Sequence, residues 1–181
     1  MFGILKSGGI IMIPIILCGI IATYIIIERC IYFYTTKKKD KILINNVLSL
    51  LNKGDFDACI RVCRESETPT SNVILKAIQS RDLEERDLRE IVETQMDLEV
   101  PTYEHLITTL GTIANISTLL GLLGTVTGNI KAFGVLGEGA SMGNPALLAG
   151  SIAEALVTTA SGLVISIPAL VFHNFFVSKV D

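Results

Sequence analysis

The stretch SIAEALVTTASG, Ser151 to Gly162, holds one carboxylate, Glu154. Between Ala132 and Lys179 the only other charged side chain is Glu138. Leu147, Leu148, Leu156, Val157, Leu163, Val164 and Ile165 surround it in sequence. An ionisable side chain at membrane depth costs about 2.5–3.5 kcal/mol on insertion scales, so a glutamate kept there needs a reason. With Glu154 as origin, helical geometry puts Leu147, Gly150, Ser151, Thr158, Ser161 and Ile165 on its side of the helix. It lies about 10 Å along the axis from Leu147, too deep for a short side chain to reach the surface. A purely structural glutamate would need a buried cation. Within the apolar runs the one candidate is Arg29, toward the opposite end. The reading that follows is a carboxylate on an ion path.

A second set of residues lies upstream. Gly111, Ala114, Thr118, Gly121, Thr125, Gly128 and Ala132 recur in steps of three and four and form one narrow stripe on a helix. Small residues on a stripe let membrane helices pack backbone to backbone. Thr118 and Thr125 also set hydroxyls in a line, either bonded back to their own helix or lining a polar path. The residues alone leave both open. The cysteines point to no chemistry. Cys59 and Cys63 can share a helix face, but a metal would need two more ligands, and His105 and His173 are distant in sequence. No metal or cofactor is expected. Cys18 and Cys30 fall in or near the first apolar run. All four read as buried free thiols. His173 reads as interfacial, and Glu28–Arg29 as local charge compensation or helix anchoring. There is no period-two strand pattern, Gly-rich phosphate loop or repeat.

The elements that position these residues are helices in a membrane. Half of the 181 residues are hydrophobic and the mean hydropathy is +0.55, beyond what a water-soluble domain shows. The net charge of −3 suggests no nucleic-acid partner, and membrane lipid becomes the surrounding medium. Three runs are long enough to span a bilayer, which needs about 20 apolar residues. They are 9–33, 106–130 and 147–172. Residues 1–8 form a short outer segment, 34–105 a cytoplasmic helical domain, 131–146 a short periplasmic loop and 173–181 a cytoplasmic tail. The first run is too long for a signal-peptide core and ends in no small-residue cleavage site. Lys37, Lys38, Lys39 and Lys41 follow it and mark that side as cytoplasmic. The N-terminus then faces outward and the C-terminus, with Lys179, lies on the cytoplasmic side.

Within 34–105 the apolar spacing is helical, and Lys53-Gly54-Asp55 reads as a stop followed by a cap. DLEERDLREIVETQMDLEV alternates charge signs along an exposed helix. No break separates this helix from the second span, so the two read as one long rod that Pro101 can kink.

GLLGTVTGNIKAF, Gly121–Phe133, and SIAEALVTTASGLVISIPALVFHN, Ser151–Asn174, closely resemble the ExbB/TolQ group of the MotA/TolQ/ExbB proton-channel superfamily. The Glu28–Arg29 pair and the Gly54-Asp55-Phe56 helix start also fit, and the resemblance covers nearly the whole chain. It implies an all-α membrane protein with three transmembrane helices, long cytoplasmic helical extensions and an N-out topology, assembled as a ring, typically a homopentamer, in the bacterial inner membrane. It implies a partner of the ExbD/TolR type, whose single membrane helices enter the central pore and carry an aspartate, and beyond it a TonB- or TolA-like protein. Glu154 matches the family's essential glutamate, Thr125 the pore threonine of span two and Thr159 that of span three. Ideal geometry puts Thr158, not Thr159, beside Glu154, so Thr159 sits on a distorted helix or faces a neighbouring subunit. Family members also continue past the third span as a cytoplasmic helix, where this sequence ends at Asp181.

The implied function is a proton-driven motor subunit, not an enzyme. With its partner it energises TonB-dependent outer-membrane transport or, alternatively, Tol-type outer-membrane maintenance. A stator-like subunit of the MotA branch would carry four spans and a larger insert. A non-conducting scaffold would explain the small residues but not Glu154.

Overall fold

The computed structural model describes residues 9–137 and 145–180. The N-terminal segment 1–8 and the centre of the loop expected at 131–146 lie outside the described residues. Among those described there is no strand. The helices are α1 (Met12–Leu51), α2 (Phe56–Ser66), α3 (Pro69–Gln79), α4 (Glu85–Glu104), α5 (Ile107–Gly137) and α6 (Pro145–Val180). Three of them, α1, α5 and α6, are long and apolar enough to cross a membrane. The Ile- and Val-rich stretches of these helices have only modest helix propensity in water. In lipid, where no water can satisfy a backbone N–H or C=O, the helix is the form that satisfies each one within its own segment.

The chain divides into two units. One comprises the residues up to Ile27 together with Leu106–Lys179; the other is Glu28–His105. In the membrane unit the large apolar side chains point outward: Ile13, Ile20, Tyr24, Leu119, Ile130, Val164 and Ile167 are exposed on the isolated chain. Much of its interior is small or polar, with Ala22, Ala114, Ser117, Ala155, Thr158 and Ala169 buried beside Ile15, Ile25 and Leu110. That inversion of soluble-protein order is what lipid as solvent selects, since tails solvate isoleucine as well as a core would.

The insert unit follows the opposite order. Leu43 and Val47 of α1 pack with Cys59 and Cys63 of α2 and Ile78 of α3 in one buried cluster. Of the caps that shape it, the one at Gly54 and Asp55 was read from the sequence and the one at Thr68 was not. Gly54 adopts a left-handed φ of 76°, and Asp55 accepts the Ala58 N–H at 3.0 Å to cap α2. Thr68 and Ser71 form a reciprocal capping box at the start of α3, with Pro69 in the first turn, as such sequences favour. Cys18 is half-buried and Cys30 exposed on the isolated chain, because that stretch of α1 turns them outward rather than into a core, but Cys59 and Cys63 are buried free thiols. Burial pushes both thiols above the ordinary value of 9.0, with the charge of Asp55 adding to the effect at Cys59 and that of Cys59 adding at Cys63.

Arg29 is almost fully buried at the start of this unit. Its Nε pairs with Glu28 at 2.7 Å, its Nη1 donates to the Tyr103 carbonyl at 3.3 Å, and its guanidinium stands over the Tyr32 ring at 4.8 Å. Glu28–Arg29 therefore ties α1 to α4. Nearby, Thr70 donates to Asp40 at 2.9 Å and lies 3.3 Å from the Tyr103 hydroxyl. Desolvation raises the Tyr103 phenol above its usual range.

One expectation fails here. The helix from the insert and span two do not form a continuous rod. α4 ends at Glu104, and His105 turns out of helical geometry with ψ near 132°. Leu106 then takes a left-handed φ of 68°. Pro101, inside α4, cannot donate a backbone hydrogen bond, and the helix stops within a turn of it. The left-handed residue that follows a helix is usually glycine. Leucine in that role gives a sequence reader no signal.

Candidate functional site

The seam between α5 and α6 carries the candidate residues, and glycine sets how close the helices come. A side-chain carbon placed at Gly121 would lie 3.2 Å from the Thr159 Cα and 3.6 Å from the Gly162 Cα. One at Gly162 would lie 2.5 Å from the Ser117 carbonyl oxygen. Carbons at Gly124 and Gly128 would collide with the side chains of Thr158 and Ala155. Gly111, at the other end of the seam, is filled by the His173 ring, whose Nδ1 lies 2.9 Å from the Ile107 carbonyl. Of the stripe read from the sequence, Gly111, Ala114, Gly121, Gly128 and Ala132 are buried, while Thr118 is exposed and Thr125 half-buried. Ser117, Gly124 and Gly162 belong to the same seam and were missed. Ser117 is fully buried, and its hydroxyl has no hydrogen-bond partner among the described residues.

Several other hydroxyls are committed to the backbone of their own helix. Thr125 donates to the Leu122 carbonyl at 2.7 Å, Thr158 to the Glu154 carbonyl at 2.8 Å and Ser161 to the Val157 carbonyl at 2.8 Å. Such bonds to the preceding turn are the ordinary fate of Ser and Thr in membrane helices. Two hydroxyls cross between helices. Thr118 meets the Ser166 hydroxyl at 2.7 Å, and Thr159 donates to the Gly121 carbonyl at 2.7 Å. Thr159 thus faces span two of its own chain. Thr158 is the buried one of the pair, about 1% exposed.

Glu154 itself is not without a cation. Its Oε1 accepts from the Lys131 ammonium at 2.7 Å, which overturns the expectation that only Arg29 was available. The cause is helix length: α5 runs to Gly137, so Lys131 stands on a helix rather than in a loop. Gly124, Gly128 and Lys131 are spaced to share one helix face, the face that meets α6. The Ser151 carbonyl already lies beside Gly128, so the Lys131 backbone is about a turn farther toward the helix ends than Glu154. The long lysine stem reaches back over that distance. Gly9, at a left-handed φ of 64°, also stands near the carboxylate, where an added side-chain carbon would fall on Glu154 Oε1. The Glu154 carboxylate is about 27% exposed and Lys131 about 56%. Chemically, the seam can hold one carboxylate in or near the apolar span, bind it reversibly to an amine and carry hydroxyls along its length. Among the described residues no group of His, Cys, Asp and Glu could hold a metal ion.

Comparison with known proteins agrees in kind. Over 171 residues, covering 94% of this chain and 81% of the relative, it is 31% identical to a Synechocystis protein named biopolymer transport protein ExbB-like 3. It is 27% identical over 194 residues to the biopolymer transport protein ExbB of Neisseria meningitidis, covering 95% of this chain and 84% of that one. A 79-residue segment, 44% of this chain and 34% of the relative, is 40% identical to the Tol-Pal system protein TolQ of Haemophilus influenzae. Residues 65–181, which contain α5, the Glu154 helix and most of the insert unit, match the MotA/TolQ/ExbB proton channel family. The chain is a multi-pass membrane protein, and it belongs to that proton channel family.

Proposed function

We propose that this chain is the ion-path subunit of a proton-driven motor in the bacterial inner membrane, and that Glu154 is its titratable group. The observation that carries the reading is the single acidic side chain of the described part of α6, seated against α5 on a glycine seam that also bears Thr158 and Thr159, with Thr125 on α5 beside it. Copies of the chain form a ring, with five the family's usual number. A single-span partner of the ExbD/TolR type enters the centre with its aspartate. Lys37, Lys38, Lys39 and Lys41 hold the insert side in the cytoplasm, leaving the N-terminus outside. Protons enter from the outer side, load the partner's aspartate near Thr125, Thr159 and Glu154, and leave inward. Each charge crossing 100 mV releases about 2.3 kcal/mol, and that energy turns or shifts the partner helices. They pass work to a TonB-like protein for outer-membrane transport.

A Tol-type role is the second reading, favoured by the similarity to TolQ along part of the chain. Complementation separates the two: the gene should restore proton-motive-force-dependent growth in a strain lacking its TonB-system counterpart more fully than it restores envelope integrity in a strain lacking TolQ. The reverse ranking would transfer the assignment to the Tol system. Native mass measurement of the purified complex should give a ring of about five copies around the partner. A stable monomer or dimer with the partner present would contradict the ring.

A further inference from the structure

The ion pair between Lys131 and Glu154 is unused by the function just described. An amine holding the one carboxylate on which an ion path depends is an obstacle to that path unless the pair can open. The surroundings make it look built for opening. The carboxylate is held by the Lys131 ammonium at 2.7 Å, and its Oε1 also lies against Gly9, where an added side-chain carbon would displace it. Lys131 itself remains about half exposed, so its ammonium is accessible to another anion. Its face is the one that carries Gly124 and Gly128, and Thr125 stands next to that face. An incoming membrane helix bearing a carboxylate at this depth would meet one ammonium shared between two acids.

We propose that Lys131 is a positioning residue that latches Glu154 while no partner helix is seated, and that the partner's carboxylate releases Glu154 by taking over the ammonium. The inference rests on the ion-path reading of Glu154 and adds the control of that site. One amine cannot neutralise two carboxylates fully, so seating the partner leaves Glu154 free to bind a proton. The latch closes the path in the unpartnered chain and opens it in the assembled one.

Zero-length carbodiimide coupling tests this in the full chain, because it joins only an amine and a carboxylate already in contact. In the chain reconstituted alone, peptide mass spectrometry should find Lys131 joined to Glu154 with the loss of one water. Reconstitution with the single-span partner should lower that yield several-fold. Lys131→Arg, whose guanidinium does not couple, should abolish the link yet keep the unpartnered chain closed to protons, while Lys131→Met, with no cation to hold Glu154, should let the unpartnered chain leak protons several-fold faster. No link in the chain alone, a yield indifferent to the partner, or equal proton leak through the unpartnered Arg and Met variants would overturn the latch. Should Lys131→Met fail to assemble, the partner dependence of the wild-type link still decides. A Glu154→Gln complex that retains full proton flux would instead remove the ion-path reading, whatever the link does.

Discussion

The insert unit and the membrane unit are built from the same kind of helix and held by opposite means. In the insert, Leu43, Val47, Cys59, Cys63 and Ile78 fill a core with side-chain volume. In the membrane unit the seam between α5 and α6 is held by the absence of side chains at Gly121, Gly124, Gly128 and Gly162, and the large apolar residues face outward. The difference teaches where each unit tolerates change. A water-facing unit gains by removing apolar surface from solvent. A lipid-facing seam gains only from close packing and hydrogen bonds across the helices. The seam is therefore intolerant of added volume, and the insert of lost volume.

That contrast can be broken by substitution. Leu43→Ala should destabilise the insert by about 2–5 kcal/mol, the usual cost of emptying a packed site, read as a lowered unfolding midpoint in denaturant. An unchanged midpoint would mean the cluster is not a core. Gly162→Leu should cost about 1–3 kcal/mol or more through overpacking, because its first side-chain carbon already meets the Ser117 carbonyl. The measurable sign is loss of assembled complex in mild detergent while the insert still folds. Normal assembly would show that the helices are not held by their glycines.

A smaller effect sharpens the insert side. Burial raises the Cys59 and Cys63 thiols above 9.0, so the unfolded chain loses these protons first as pH rises. Below pH 9 both states keep the thiols neutral and stability is unaffected. Above it the folded state is progressively disfavoured, by no more than about 1.4 kcal/mol per pH unit for each thiol. Denaturant midpoints between pH 7 and 10 should fall only at the alkaline end, and less in Cys63→Val. The smallest effect belongs to the lipid face: Ile130→Ala, at a side chain 66% exposed, should change stability by under about 0.5 kcal/mol. A large loss would place Ile130 in a contact between copies.

Much of this was legible in the residues. The three long apolar runs declare themselves by length alone, and the stop and cap at Gly54 and Asp55 by turn chemistry. Glu154 was legible because a charge in lipid is costly enough to need a purpose. Its cation was not. Lys131 was taken as the end of the apolar run, and so as loop, although helix α5 continues past it. The face shared by Gly124, Gly128 and Lys131 was the available signal. The break at His105–Leu106 was hidden for a different reason: a leucine occupies a backbone conformation that sequence rules assign to glycine. The choice between Thr158 and Thr159 could not be made from an ideal helical wheel, because Thr159 is oriented by the Gly121 carbonyl of another helix.

The central claim is that Glu154 moves protons, and flux tests it without reference to growth or to the identity of the outer-membrane task. Complexes of chain and partner are reconstituted into vesicles holding a pH-sensitive dye, and an inward potential is imposed. Wild type should acidify the lumen, Thr125→Val should do so at a reduced rate and Glu154→Asp should retain some activity. Glu154→Gln is nearly isosteric and should assemble to the same mass yet acidify no faster than empty vesicles. A Glu154→Gln complex that assembles and conducts at the wild-type rate would contradict the account.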